Sequence, residues 1–160
     1  MINCKFENGD NVSLRHVTVN AIIVKGGEIL LGKRGTYKGK PMLESGKWAL
    51  IGGFFDRDER LTDAVKREAR EETGWEIDNL KLLRINDLPN RPMEDRQNVD
   101  MIFIADALEQ IPTQNEEVKE LKWFNLNSLP PKEEIAFDHN DNIELYRRYL
   151  KEDFDLPVLE

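Results

Sequence analysis

The chain has 160 residues, 31 of them acidic against 23 Lys and Arg, for a formal charge of −8 at pH 7. Its length suits one domain over residues 1–160, because single cores commonly organise roughly 100–200 residues. The acidic balance argues against a general nucleic-acid binder, which usually carries a basic face or stripe. No apolar run approaches the roughly 18–20 residues of a spanning helix, so no membrane partner is expected. The N-terminal residues lack a secretory-type apolar stretch, and the single cysteine, Cys4, permits no internal disulfide. A reducing, cytoplasmic setting is the expectation.

In chain order, His16 to Val24 alternates and is rich in β-branched residues, Lys25-Gly26-Gly27-Glu28 punctuates, and Ile29 to Leu31 resumes. This pattern predicts a β-hairpin. Gly35 to Gly46 reads as a long polar loop, and Trp48 to Ile51 as a short strand ending at Gly52-Gly53. Leu61, Ala64, Val65 and Ala69 recur at helical spacing, which predicts a helix over 61–73 closed by Gly74. Strands are predicted at Leu80–Ile85, Val99–Ala107 and Leu121–Asn125. The stripe Ile143, Leu145, Tyr146, Tyr149 and Leu150 predicts a last helix from about Asn140 to Lys151. Strands, helix, strands, helix imply an α/β fold with a mixed sheet and helices on its faces. The acidic tail from Glu152 to Glu160 reads as a solvated or partner-facing end.

Charge is unevenly spread. Residues 15–50 hold seven bases and two acids, a net +5, whereas residues 76–160 hold ten bases and twenty acids. The first segment could face an anion or serve as a solvated loop surface. On the predicted helix, Glu68, Glu71 and Glu72 stand at i, i+3 and i+4, which places three carboxylates on one face. They repel one another, and acids in a last helical turn oppose the helix dipole. A hard divalent cation would relieve both conflicts, since Mg²⁺ takes a few carboxylate oxygens together with substrate phosphates. A solvated charged face is the alternative from these three residues alone.

Read whole, Gly53 to Trp75 is GFFDRDERLTDAVKREAREETGW. It fits Gly-x5-Glu-x7-Arg-Glu-U-x-Glu-Glu-x-Gly-U, with U a bulky apolar residue, at Gly53, Glu59, Arg67, Glu68, Ala69, Glu71, Glu72, Gly74 and Trp75. Ala69 is small and Trp75 large for their places. This stretch resembles the Nudix box of the Nudix hydrolase superfamily and covers 23 of the 160 residues. The preceding GKWALIGG is similar to the strand and glycine turn that lead into the box, with Ile51 where proline is common. The resemblance implies an α/β/α sandwich around a mixed sheet, with the box as a loop, helix and loop holding Mg²⁺ or Mn²⁺. It also implies hydrolysis of a nucleoside diphosphate linked to a second group. By motif position, Glu68, Glu72 and Glu71 become the metal ligands, with the Gly53 carbonyl as a further one. Arg67 and Glu59 become a supporting ion pair. Relatives place the catalytic base variably; here Glu117 is the first candidate and Glu116 the second, with Glu120 nearby, all just before the predicted Trp123-Phe124 strand.

For the substrate, the stretch Asn90 to Val99 resembles a segment of ADP-ribose pyrophosphatases, with Glu94-Asp95-Arg96 in place of the fuller pattern. Arg96 could clamp a phosphate or pair with its acidic neighbours. Arg34 follows a strand where relatives present a base to the substrate, and Phe54 could stack on a nucleobase or join the core. His16 and His139 form no metal pair by spacing, and Trp48 and Trp123 read as core or pocket wall. The expectation is therefore a Mg²⁺-dependent pyrophosphohydrolase for ADP-ribose or a nucleotide sugar. A nucleotide-sanitising triphosphate pyrophosphatase and a non-catalytic ligand-binding module stand as alternatives, and a homodimer is compatible with the family.

Overall fold

The computed structural model describes residues 2–89, 91, 98–113 and 115–159. An N-terminal hairpin, β1 (Ile2–Lys5) and β2 (Asn11–Leu14), forms its own two-stranded sheet. The main sheet contains β3 (Val17–Lys25), β4 (Glu28–Arg34), β7 (Trp48–Ala49), β8 (Ile51–Phe54), β9 (Trp75–Asn86), β10 (Val99–Gln110), β11 (Val118–Asn125) and β12 (Val158–Leu159). Between β4 and β7, β5 (Thr36–Tyr37) and β6 (Lys40–Pro41) pair as a miniature hairpin. Among the described residues the α-helices are α1 (Leu61–Thr73) and α2 (His139–Tyr149).

The central order is β11-β4-β3-β10-β9-β12, with β7 on β4 and β8 on β3. Pairs β3–β10 and β9–β12 are parallel and the others antiparallel, so the sheet is mixed. Period-2 alternation sorts its side chains onto two faces. Val19, Ala21, Ile23 and Leu30 pack with Ala64, Val65 and Ala69 of α1, while Ile22, Ile29 and Leu31 pack with Ile143, Leu145 and Tyr146 of α2. The result is the expected α/β sandwich.

The β3–β4 hairpin closes only at Val24–Ile29 and Lys25–Glu28, then splays. Into the fork run β7 and β8, β8 pairing with Thr18–Ala21 of β3. A Cβ at Gly52 would stand 2.0 Å from the Val19 carbonyl, so only glycine lets this strand approach β3 so closely. The fork thus delivers the Gly52-Gly53 backbone to the flank of α1. Gly74 ends α1 at φ 73, donating to Arg70 O, and a Cβ there would meet the Ile111 carbonyl at 2.0 Å.

Three expectations change. The strand predicted at Leu80–Ile85 begins at Trp75, directly after the helix stop, because Trp75 and Ile77 enter the core beneath α1. The polar loop at 35–46 contains β5 and β6. The acidic tail is not simply solvated: Val158 and Leu159 pair with Arg84 and Ile85 as a sheet edge.

Candidate active site

The carboxylates of α1 meet the glycine pair of β8. Gly52 N–H donates to Glu72 Oε2 at 3.0 Å. Glu68 lies over Gly53, where an added Cβ would stand 2.7 Å from its Oε1. Arg67 ties the preceding loop to the helix. Its Nε and Nη2 grip the two oxygens of Glu59 at 3.0 and 2.8 Å, and Nη2 also donates to Phe54 O at 3.0 Å. Its Nη1 reaches Glu68 at 2.8 Å and Glu71 at 3.2 Å. Glu59 also accepts from Asp56 N–H at 2.8 Å, so the turn before α1 closes on the same pair. A bidentate guanidinium–carboxylate contact fixes orientation as well as charge.

The site holds more acid than this one arginine balances. Burial, with Glu68 and Glu117 nearby, raises the Glu72 carboxyl to about 8 against the pull of Gly52 and Arg34. Burial likewise raises Glu68, with Arg67 opposing and Glu71 and Glu117 adding to the rise. Glu117, half-buried before β11, is raised by burial and by Glu116 and Glu71, with Arg34 opposing. Glu59 goes the other way, held low first by Arg67. Carboxylates in partly water-free surroundings that raise one another's proton affinity form a site that gains from a cation.

Oxygen donors of this kind suit a hard divalent ion. Glu68, Glu71, Glu72 and the Gly53 carbonyl could hold one, and the missing side chain at Gly53 lets the Glu68 carboxylate lie directly against that backbone. Among the described residues, no three His, Cys, Asp or Glu side chains are already gathered as a metal-binding group, so the carboxylates of α1 do not yet point to one centre.

A family model described as the NUDIX domain matches residues 14–148. The chain belongs to the Nudix family. An ADP-ribose pyrophosphatase of Methanocaldococcus jannaschii is 36% identical over 133 residues, 83% of this chain and 73% of that protein. An NAD-capped RNA hydrolase of Pseudomonas aeruginosa is 28% identical over 111 residues, and the match spans only 36% of its length. The crystal structure of an ADP-ribose pyrophosphatase from Streptococcus suis superposes with a TM-score of 0.71 at 21% identity, covering 92% of this chain and all of that one. Nudix hydrolases act on phosphorus-containing anhydrides, and the chain is an enzyme of that class.

In this Nudix domain the box forms the end of β8, the following loop and α1. Glu59, Arg67, Glu68, Glu71, Glu72 and Gly53 come together as the motif spacing implies, and Glu117 joins them from the β10–β11 connection. Glu116 faces away: its carboxylate accepts from Lys38 and Gly39 N–H in the β5–β6 turn. Glu120 is exposed and pairs with Lys33 at 3.8 Å. Arg34 donates to Leu43 O at 2.8 Å, stacks 4.9 Å from the Phe137 ring and acts electrostatically on both Glu72 and Glu117. Phe54 is 51% exposed beside His16, while Phe55 packs on the core, which separates the two phenylalanines. Arg96 lies outside the described residues. His139 is buried, accepts from Leu50 N–H at 2.9 Å, and is lowered by burial to about 4, as a structural histidine would be. No helix among the described residues is long and apolar enough to cross a membrane.

Two features escape sequence reasoning. Arg91 is buried against Asp138 at 2.6 Å, Asp100 at 3.5 Å and Asn98 at 2.6 Å, in a polar layer that also contains Asn20, Asn86 and Thr18. Asn115 bridges α1 and Glu117. Neither has a periodic or motif signal, because each arises from contacts between distant segments.

Proposed function

We propose that this Nudix domain, residues 1–160, is a Mg²⁺-dependent pyrophosphohydrolase that cleaves ADP-ribose or a nucleotide sugar between its two phosphorus atoms. One observation carries the reading: Glu68 and Glu72 converge on the Gly52-Gly53 backbone with more negative charge than Arg67 neutralises. In this reading Glu68, Glu71, Glu72 and the Gly53 carbonyl hold the ion, with Mn²⁺ a workable substitute. When bound, such an ion supplies Lewis-acid polarisation of the diphosphate and lowers the cost of water attack. Arg67, anchored by Glu59, keeps the helix face in register with the glycine turn.

The chain's own groups supply the rest. Glu117 takes a proton from the attacking water; its raised proton affinity suits a base working near neutral pH. The water oxygen bonds to one phosphorus, the bridging P–O bond breaks, and its electron pair leaves with the second phosphate. Arg34 offers positive charge to the phosphates, and exposed Phe54 offers a face for the nucleobase. Support for ADP-ribose comes from the name of the 36%-identical relative. The test is incubation with Mg²⁺ and a panel of ADP-ribose, nucleotide sugars, dinucleotides and nucleoside triphosphates, with product identification. AMP with ribose phosphate supports the proposal; nucleoside monophosphate with pyrophosphate, from triphosphates only, overturns the substrate.

A further inference from the structure

Glu117 lies just before β11, outside the strand that follows it. It is held from two sides. Toward α1, Asn115 Nδ2 donates to the Glu71 carbonyl at 3.0 Å, one of the carbonyls a helix leaves unpaired in its last turn. The Oδ1 of the same amide accepts from Glu117 N–H at 2.7 Å. Only this orientation of the amide satisfies both contacts, since a carbonyl requires a donor and an N–H an acceptor.

On the other side, the Glu116 carboxylate accepts from Lys38 N–H at 2.5 Å and Gly39 N–H at 3.3 Å, and from the Thr36 hydroxyl at 3.4 Å. Lys38 and Gly39 have φ of 50° and 71°. Both N–H groups of this turn reach the Glu116 carboxylate, which takes the place an anion occupies among the backbone donors of a turn. The backbone adds two bonds: Thr36 N–H donates to Glu116 O at 2.8 Å and Gly35 N–H to Glu117 O at 2.7 Å. A Cβ at Gly35 would stand 2.2 Å from Glu116 O, so glycine is needed for that approach.

We propose that Asn115 and Glu116 are positioning residues that hold Glu117 at a fixed reach from the α1 carboxylates. The proposal rests on the reading of Glu117 as the base. Asn115 references Glu117 to the carbonyl of Glu71, within the helix face that carries the acids. Glu116 references it to the β5–β6 turn and spends its own charge on backbone N–H groups there, away from the incoming phosphates. Displacement of a reacting group by about 1 Å costs about a hundredfold in rate, which sets the scale of the bracket's effect.

The test measures kcat and KM on the panel's best substrate for Asn115→Ala, Asn115→Asp and Glu116→Gln, each alone and combined with Glu117→Gln. Asn115→Asp and Glu116→Gln preserve side-chain shape, so a folding defect in the alanine variant leaves the test intact. Asn115→Asp turns a donor into an anionic oxygen against Glu71 O, and Glu116→Gln puts an amide where two N–H groups need acceptors. All three are expected to lower kcat about ten- to a hundredfold with KM within about twofold. In the Glu117→Gln background the loss should vanish, because no base remains to be positioned. Wild-type kcat in the single variants beside an inactive Glu117→Gln would overturn the positioning role and leave the base standing. Equal losses in both backgrounds would overturn it too. Wild-type kcat in Glu117→Gln alone would instead remove the base reading, and the positioning role with it.

Discussion

Replacing Glu72 with Gln should stabilise the metal-free protein, and the gain should grow with pH. A carboxyl raised in the folded state from 4.5 to about 8 keeps a proton there that the unfolded chain has released. Unfolding then releases protons, so stability falls as pH climbs through this window and levels above it. At about 1.4 kcal/mol per pH unit, the full shift sets a ceiling of about 5 kcal/mol. Glu68 and Glu117 titrate with Glu72 and share the effect, and solvent reaches part of its side chain, so we expect about 2–3 kcal/mol. For a chain of this size that corresponds to about 5–10 °C in Tm. The assay is thermal unfolding of both proteins in EDTA from about pH 5 to about pH 8.5. The wild-type curve should fall away from the Gln variant with rising pH, and added Mg²⁺ should restore the wild type while barely moving the variant. Parallel curves in EDTA would refute the reasoning, because they would mean that the Glu72 charge costs nothing in this site.

Other expectations follow from the same geometry. Glu59→Gln and Arg67→Lys each break the bidentate pair, so activity should drop about ten- to a hundredfold with apparent Mg²⁺ affinity reduced, read from rate against Mg²⁺ concentration. Gly53→Ala places a methyl against the Glu68 carboxylate, the movable end of a side chain. The fold should survive by circular dichroism while the Mg²⁺ requirement rises. Arg91→Ala strands Asp138 and Asp100 in the interior. It should destabilise by about 3–5 kcal/mol in denaturant titration, since breaking a buried pair leaves an uncompensated charge.

Much of the scaffold was legible because its signals are local. The spacing of Leu61, Ala64, Val65 and Ala69, closed by Gly74, fixes α1 to within its observed bounds. The alternation from His16 to Val24 gives β3, though not the fork that admits β8, because strand pairing is a long-range matter. The start of β9 at Trp75 escapes because it follows a helix stop without a loop, and because Asp78 and Asn79, both disfavoured in strands, interrupt the alternation that Trp75 and Ile77 begin. At the site, the motif carries Glu68, Glu71 and Glu72, since one turn of helix sets their common face, and Glu59, which pairs with Arg67 from the loop before that helix. Beyond the motif, nothing in NEEVKE distinguishes Glu117 from Glu116. Only the fold turns one toward α1's acids and the other into the Lys38–Gly39 turn. The Arg91–Asp138 contact joins segments 47 residues apart, and with Asp100 of β10 it forms a layer that no local pattern reveals.

The central claim is that the convergent acids of α1 serve metal-dependent cleavage of a nucleoside diphosphate derivative. Its most direct test is product identification after incubating the purified chain with ADP-ribose, with Mg²⁺ and with EDTA, alongside Glu72→Gln. The account expects AMP and ribose phosphate from the wild type with Mg²⁺ only, and almost none from the variant. Undiminished turnover in EDTA, or by Glu72→Gln, would contradict it.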